Sequence, residues 1–231
     1  MGIGRIIRQL LGGAGGRDAE GAPSVASAGG FELAIGVEVA DLTGIEPAYS
    51  AAQTESGWWL QANVSAERIL ETFLALARQI PKPGFLIVGV PTTREVEETL
   101  RASPADPCHR DHHYLGGLDD AGLEAILRAH EEHFVHDGLL TFGFASHAGG
   151  HEVLVQRYKI FSLMVADPEP YANVLTAHGH RPVPTLRTVW DTFSEAQPGV
   201  TTGVEVDGAT IYDLVSSLQA RGLVFGKRDV N

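Results

Sequence analysis

The chain has 231 residues, 44% of them hydrophobic, so it is long enough to bury a core in one large domain or two small ones. Its 17 basic and 29 acidic residues give a net charge of −12, which argues against nucleic acid as a partner and favours a cationic partner or plain solubility. The single cysteine, Cys108, excludes an intramolecular disulfide, and no apolar run approaches the ~18 residues of a membrane span.

The N-terminal segment differs in character from the rest of the chain. Within residues 2–11 the apolar side chains recur at helical spacing, which predicts a short, basic amphipathic helix. Residues 12–30 are rich in glycine and alanine and have little to bury, which predicts a flexible linker. We therefore divide the chain into this N-terminal segment, residues 1–30, and a globular domain at 31–231.

Strand and helix signals alternate in the first half of the domain. Apolar or β-branched runs predict strands, and apolar residues at helical spacing behind a polar cap predict helices. In chain order, the predicted elements are strands at 31–39 and 58–64, a helix from Ser65 to Ile80, a central strand at 85–90, and a helix that begins with a Thr92–Glu95 capping box and ends near Ala102.

The second half of the domain begins with residues 105–118, which we predict to be an irregular loop. The elements predicted after it are a helix from Asp119 or Asp120 to His136, a hairpin of strands at 139–146 and 152–165, a helix from Pro168 to Gly179, a strand or helix at 185–193, a strand at 204–206, a helix from Thr210 to Gly222 and a strand at 223–225. This order predicts a single α+β domain with a mostly antiparallel mixed sheet and helices packed on one side.

Histidines are concentrated at 108–138, where six of the ten occur. Imidazole is a common metal ligand, so His112, His113, His130 and His133 are the candidates for binding zinc or another divalent metal. The helical pair has the spacing HEEH instead of the HExxH of zinc proteases, and His130 falls on the apolar face of its predicted helix. We therefore expect core and surface histidines, with no metal and no other cofactor.

No complete catalytic motif is present in the sequence. Ser146 lacks the GxSxG context of a nucleophile elbow, and neither a GxGxxG nor a GxxxxGK[ST] phosphate loop occurs. We assign no catalytic residue and favour a binding protein over an enzyme. A metal-dependent hydrolase that uses the histidines of 109–136 is the alternative.

Carboxylates at predicted helix starts and a tryptophan pair are the candidate contacts for a protein partner. Trp58 and Trp59 are adjacent in a predicted strand, so their rings point to opposite faces. One ring can lie in the core, and the other is exposed, lies at an edge, or is covered by another part of the chain or by a partner. We predict an acidic, bacterial, cytoplasmic binding protein, in particular an immunity-type inhibitor of a basic partner. A further alternative is a peripheral membrane or complex subunit tethered by residues 2–11. The predicted contact residues are Glu95, Glu97, Glu98, Asp119, Asp120, Trp58 and Trp59.

Overall fold

The computed structural model describes residues 30–230 and the backbone of residues 6–9. The strands are β1 (Ile6–Gln9), β2 (Val37–Glu38), β3 (Ala48–Thr54), β4 (Gly57–Asn63), β5 (Gly84–Pro91), β6 (His109–Leu118), β7 (Thr141–Ala145), β8 (Glu152–Val155), β9 (Ile160–Val165), β10 (Arg181–Pro182), β11 (Val200–Thr201), β12 (Gly203–Val206) and β13 (Val224–Val230). The α-helices are α1 (Ile69–Ala77), α2 (Arg94–Leu100), α3 (Asp120–Ala129), α4 (Glu131–His136), α5 (Glu169–Ala177) and α6 (Ile211–Gln219).

Nine of these strands form one sheet, in the order β10-β3-β4-β9-β8-β7-β5-β6-β13. Every neighbouring pair is antiparallel except β10 with β3, which is parallel. The other four strands form two small pairs, β1 with β12 and β2 with β11. The sheet is therefore mixed and mostly antiparallel, as the sequence predicts.

The α-helices pack on one side of the large sheet, which we call the covered face. Alternate residues along each strand, such as Leu86 and Val88 of β5, point into the same apolar cluster as the buried sides of the helices. The Phe73 ring of α1 lies within this cluster, 4.8 Å from the ring of Phe142 and 6.4 Å from that of Phe161. This packing confirms the prediction of one α+β domain with helices on one side.

The opposite side of the sheet, which we call the open face, is covered at one end only. There Phe31 and Ile45 pack with Tyr158, Ile160 and Val189 in a second, smaller apolar cluster. The buried apolar residues of the α-helices all belong to the covered-face cluster. Within the described residues, the remainder of the open face therefore has no α-helix packed on it.

The predicted loop at 105–118 is wrong from His109 onward, because these residues form β6 between β5 and β13. Polar side chains point to both faces of this strand, so no apolar period marks it in the sequence. The last predicted strand, 223–225, extends to Val230 for the same reason, since β13 continues through charged residues. The strand β3 was not predicted, because its Ala, Ser and Gln residues carry a weak strand signal.

The predicted strand at 152–165 is two antiparallel strands, β8 and β9, joined by a 3-10 turn at Arg157–Lys159. Tyr158 and Lys159 have φ angles of 58° and 60°, in the left-handed region. This conformation costs a residue other than glycine roughly 1–2 kcal/mol, and no glycine or proline announces the turn in the sequence.

Other boundaries also differ from the prediction. The helix predicted to end at His136 is broken at His130, whose φ and ψ of −129° and 27° are not helical. The strand predicted at 31–39 is reduced to β2, and the segment 185–193 contains a 3-10 turn at Val189–Thr192.

The N-terminal prediction is tested at four residues only. The backbone of Ile6–Gln9 pairs antiparallel with β12, which contradicts the predicted helix at these positions. The rest of residues 2–11 and residues 12–29 of the predicted linker lie outside the described residues.

Candidate functional site

The register of β6 with its neighbours sends its side chains to the two faces in turn. Tyr114, His112 and Arg110 are paired with Ile87, Gly89 and Pro91 of β5, and all six positions belong to the open face. On the other side of β6, Lys227 of β13 is paired with His112. The open face therefore carries charged and aromatic groups at this end of the sheet.

A groove of about 370 Å³ lies on this part of the open face. Its size is within the range of small-molecule sites, roughly 300–1,000 Å³. The groove is lined by Ile87, Arg110, His112, Tyr114, Thr141, Phe142, Glu152, Leu154, Val155, Gln156, Arg157, Trp190 and Lys227.

Two glycines shape the groove by letting a neighbouring side chain lie flat on the sheet. A Cβ at Gly143 would be 2.3 Å from the side chain of Leu154, so Leu154 lies across β7 and forms part of the floor. A Cβ at Gly226 would be 2.0 Å from the ring of Tyr114, so this ring packs on the backbone of β13. Real Cβ atoms do not approach other atoms so closely, so the groove has this shape only because both positions are glycine.

The left-handed turn between β8 and β9 sends three consecutive side chains in three directions. Arg157 lines the groove, Tyr158 packs in the smaller apolar cluster, and Lys159 is buried in the protein interior. The Lys159 ammonium donates hydrogen bonds to the carbonyls of Phe134 (3.0 Å) and Leu140 (3.1 Å). The strained backbone at this turn is therefore held in place by burial on two sides, and it positions Arg157.

Trp190 forms one wall of the groove, with 45% of its surface exposed. Its ring packs edge-on against Tyr158 (4.6 Å) and Phe193 (5.3 Å), and the Arg157 guanidinium lies 5.8 Å from its centroid. A capping box between Thr188 and Asp191 fixes the 3-10 turn that carries it. The wall is thus an aromatic face with a cation beside it.

Arg110 is buried at the base of the groove. Its Nη1 donates hydrogen bonds to the carbonyls of Gly89 (3.0 Å) and Leu139 (2.8 Å). Desolvation, and then the nearby charge of Arg157, lower the pKa of Arg110 to about 10, so it is still charged at neutral pH. The charge of Arg157 therefore disfavours the charged form of Arg110.

The segment that holds Arg110 is itself fixed by a buried carboxylate. Asp137 accepts hydrogen bonds from the backbone amides of Leu139 (2.8 Å), Leu140 (3.0 Å) and Val204 (2.7 Å), while burial raises the pKa of its carboxyl group. The carbonyl of Leu139 therefore has a fixed position as the acceptor for Arg110.

Besides the two arginines and the Tyr114 phenol, the titratable side chains of the groove are one carboxylate, one imidazole and one ammonium. Burial raises the pKa of Glu152 and lowers the pKa of His112, which leaves the His112 ring uncharged at neutral pH. Asp229 lies 2.7 Å from the Lys227 ammonium and 3.4 Å from Nε2 of His112. The lining therefore carries three cationic side chains, Arg110, Arg157 and Lys227, and one acidic side chain, Glu152.

The four candidate metal-binding histidines are not brought together. His112 lines the groove, whereas His113 is buried on the covered face with its ring 5.8 Å from that of Phe225. His130 lies at the break between α3 and α4, and Nε2 of His133 is 3.0 Å from the carbonyl of Ala209. No group of three or more histidine, cysteine, aspartate or glutamate residues in the described part of the chain is placed to hold a metal ion.

The predicted partner contacts are also dispersed. Glu95, Glu97 and Glu98 lie on α2, before β6, whereas Asp119 and Asp120 follow its C-terminal end. Ten residues of strand separate the two groups by about 30 Å.

All five of these carboxylates have partners within the chain, and that of Glu95 is Thr93. Glu97 accepts a hydrogen bond from the backbone amide of His109 (2.6 Å), and Glu98 pairs with Arg94 (2.8 Å). Asp119 accepts from the amide of Gly122 (2.8 Å) as an N-cap, and Asp120 pairs with Lys82 (3.0 Å). Most of the predicted acidic contacts therefore already have a role in the fold.

The tryptophan pair behaves as its position in a strand predicts. Trp58 points to the covered face and packs against its apolar cluster, and Trp59 is on the open face with 39% of its surface exposed. The Trp59 indole donates a hydrogen bond to Ser162 (2.9 Å). Because β4 and β6 are five strands apart, Trp59 and the β6 side of the groove are separated by about 24 Å along the sheet.

The main groove residues, Arg110, Arg157, Trp190 and Lys227, were not among the predicted site residues. Each comes from a segment whose structure the sequence does not announce: β6, the left-handed turn, a 3-10 turn and the end of β13.

No family model, curated protein or solved structure matches the chain. No helix among the described residues has the length and apolar character needed to cross a membrane. The support for a function therefore comes from the chemistry of the groove.

Proposed function

We propose that the protein is a binding protein whose ligand occupies the groove on the open face. The observation that carries this proposal is the groove itself: a site of about 370 Å³ with an apolar floor, an exposed tryptophan and three cations, on a part of the open face where no α-helix of the described residues packs. Sites of this kind, mostly apolar with a few convergent polar groups, are typical of small-molecule binding.

Binding fits the groove better than catalysis does. Among the described lining residues Thr141 alone has an aliphatic hydroxyl, and this hydroxyl donates a hydrogen bond to the carbonyl of Gly89 (3.3 Å). The uncharged His112 has Asp229 as its acidic neighbour, and the described lining of the groove contains no serine or cysteine. Charged and aromatic groups that position a ligand are therefore the main chemistry of this site.

The proposal is tested by filling the groove. The substitution Leu154→Trp places a large ring on the groove floor, and Gln61→Trp places the same ring on the open face outside the groove. A library of neutral, anionic and cationic fragments is screened by ligand-observed NMR against the unchanged chain and both variants. We expect fragment hits that are lost in Leu154→Trp and kept in Gln61→Trp. Hits that bind all three proteins equally, or no hits, would overturn the proposal.

The predicted immunity-type inhibitor remains a second proposal, supported by the net charge of −12. A cationic protein partner would be attracted at long range, and its association rate should fall steeply as salt screens that attraction. Its bacterial and cytoplasmic setting rests on composition and the single cysteine.

The enzyme and membrane alternatives are also proposals. A metal-dependent hydrolase requires one bound metal per chain, which elemental analysis of untagged protein would detect. A membrane tether requires residues 2–11, so liposome binding should be lost from a chain that starts at Phe31.

A further inference from the structure

The charges of the groove are not balanced by the groove itself. Arg157 makes cation–π contacts with Tyr158 (5.7 Å) and Trp190 (5.8 Å), but among the described residues no acceptor hydrogen-bonds to its guanidinium. Lys227 shares Asp229 with His112, and Glu152 is the single carboxylate of the lining. The groove is therefore locally cationic in a chain whose net charge is −12.

The position of Arg157 makes this excess of charge more marked. Repulsion by the charge of Arg157 disfavours the charged form of Arg110, whose buried guanidinium lines the same groove. An anion between or beside them would relieve this repulsion, and in a partly buried site such a contact is stronger than in water. Neither a cation nor a neutral ligand provides that stabilisation.

The rest of the groove is suited to a flat apolar group. Ile87 and Leu154 form an apolar floor, and the rings of Tyr114 and Trp190 form walls. Aromatic walls favour a planar ring over a flexible chain, because stacked or edge-to-face rings gain about 0.5–1.5 kcal/mol beyond the area that they bury.

We propose that the ligand of this groove is a small organic anion, a carboxylate or phosphate monoester on a planar aromatic body, with its anionic group at Arg157. This inference rests on the proposed function, since it names the chemical class of ligand for the same groove. The shared chemistry is an oxyanion that accepts hydrogen bonds from a guanidinium, which carboxylates and phosphates both do.

The test compares probes that share one ring system. Isothermal titration calorimetry is carried out with 2-naphthyl phosphate, 2-naphthoate, the neutral 2-naphthamide and inorganic phosphate. We expect one or both aromatic anions to bind at least about tenfold more tightly than the amide, and inorganic phosphate to bind weakly because it lacks the ring. Tighter binding of 2-naphthyl phosphate than of 2-naphthoate assigns the natural anion as a phosphate, and the reverse order assigns a carboxylate.

Two variants and a charge-matched control locate the anion. Arg157→Gln should weaken aromatic anion binding by about tenfold and leave the amide unaffected. Lys227→Gln should weaken it by a smaller factor, and it provides an independent test at an exposed residue should Arg157→Gln fail to fold. Arg94→Gln removes the same charge from α2, where Arg94 is exposed and paired with Glu98, and should change nothing.

The failures of the two proposals can be told apart. If the amide binds as tightly as the anions and Leu154→Trp abolishes its binding, the groove binds a ligand but the anionic class is wrong. If the anions bind equally to Arg157→Gln, Lys227→Gln and Arg94→Gln, they bind outside the groove and the inference is wrong. Absence of aromatic anion binding at millimolar concentration would also overturn it.

Discussion

The two faces of the large sheet differ in what their side chains do, and β6 shows both. His113 and Leu115 point to the covered face and are buried, whereas Arg110, His112 and Tyr114 point to the open face and line the groove. The covered face carries the large apolar cluster, and helices complete its packing. The open face retains cations and aromatic rings at a cost in desolvation, which is the pattern expected of a surface kept for binding.

The largest expected effect is a difference in the free energy of unfolding between a variant of the covered face and a variant of the open face. Phe73→Ala removes a fully buried ring from the covered-face cluster and should destabilise the fold by about 3–5 kcal/mol. Trp190→Ala removes a half-exposed ring from the groove wall and should cost about 1 kcal/mol. Urea unfolding of both variants measures the difference. Equal losses would show that the wall of the groove is part of the stabilising core.

A smaller effect is expected from the pH dependence of the buried ammonium. Burial lowers the pKa of Lys159 to about 7 from its usual 10.5. Between these pH values the unfolded state binds more protons than the folded state, so the free energy of unfolding should rise by a few kcal/mol as pH increases from about 7 to 10.5.

Two variants test the origin of this dependence. Lys159→Met should remove most of the rise with pH in urea unfolding. Lys82→Met is the control, because Lys82 also donates to two backbone carbonyls but lies nearer the surface. A rise that persists in Lys159→Met, or disappears in Lys82→Met, would assign the dependence to other groups.

The covered face was predictable because burial leaves periodic patterns. The apolar run of β5 and the helical spacing of α1 and α6 are present in the sequence, and so is the Thr210–Asp213 capping box that begins α6. These features give the fold class without any three-dimensional information.

The groove was not predictable, because its residues meet through backbone geometry that leaves no pattern. The left-handed conformation at Tyr158 and Lys159 decides where Arg157 points, yet neither residue is of the type that favours it. The charge of the groove also opposes the net charge of the chain, so composition directed attention to the carboxylates instead.

The most direct test of the account compares sequence neighbours that point to opposite faces. Leu86 and Val153 belong to the covered-face cluster, while Ile87 and Leu154 line the groove. Methyl-labelled protein is titrated with 2-naphthyl phosphate and followed by NMR. The account predicts large shifts for the methyl groups of Ile87 and Leu154, and little change for those of Leu86 and Val153. Equal shifts on both faces, or no shifts at Ile87 and Leu154, would contradict it.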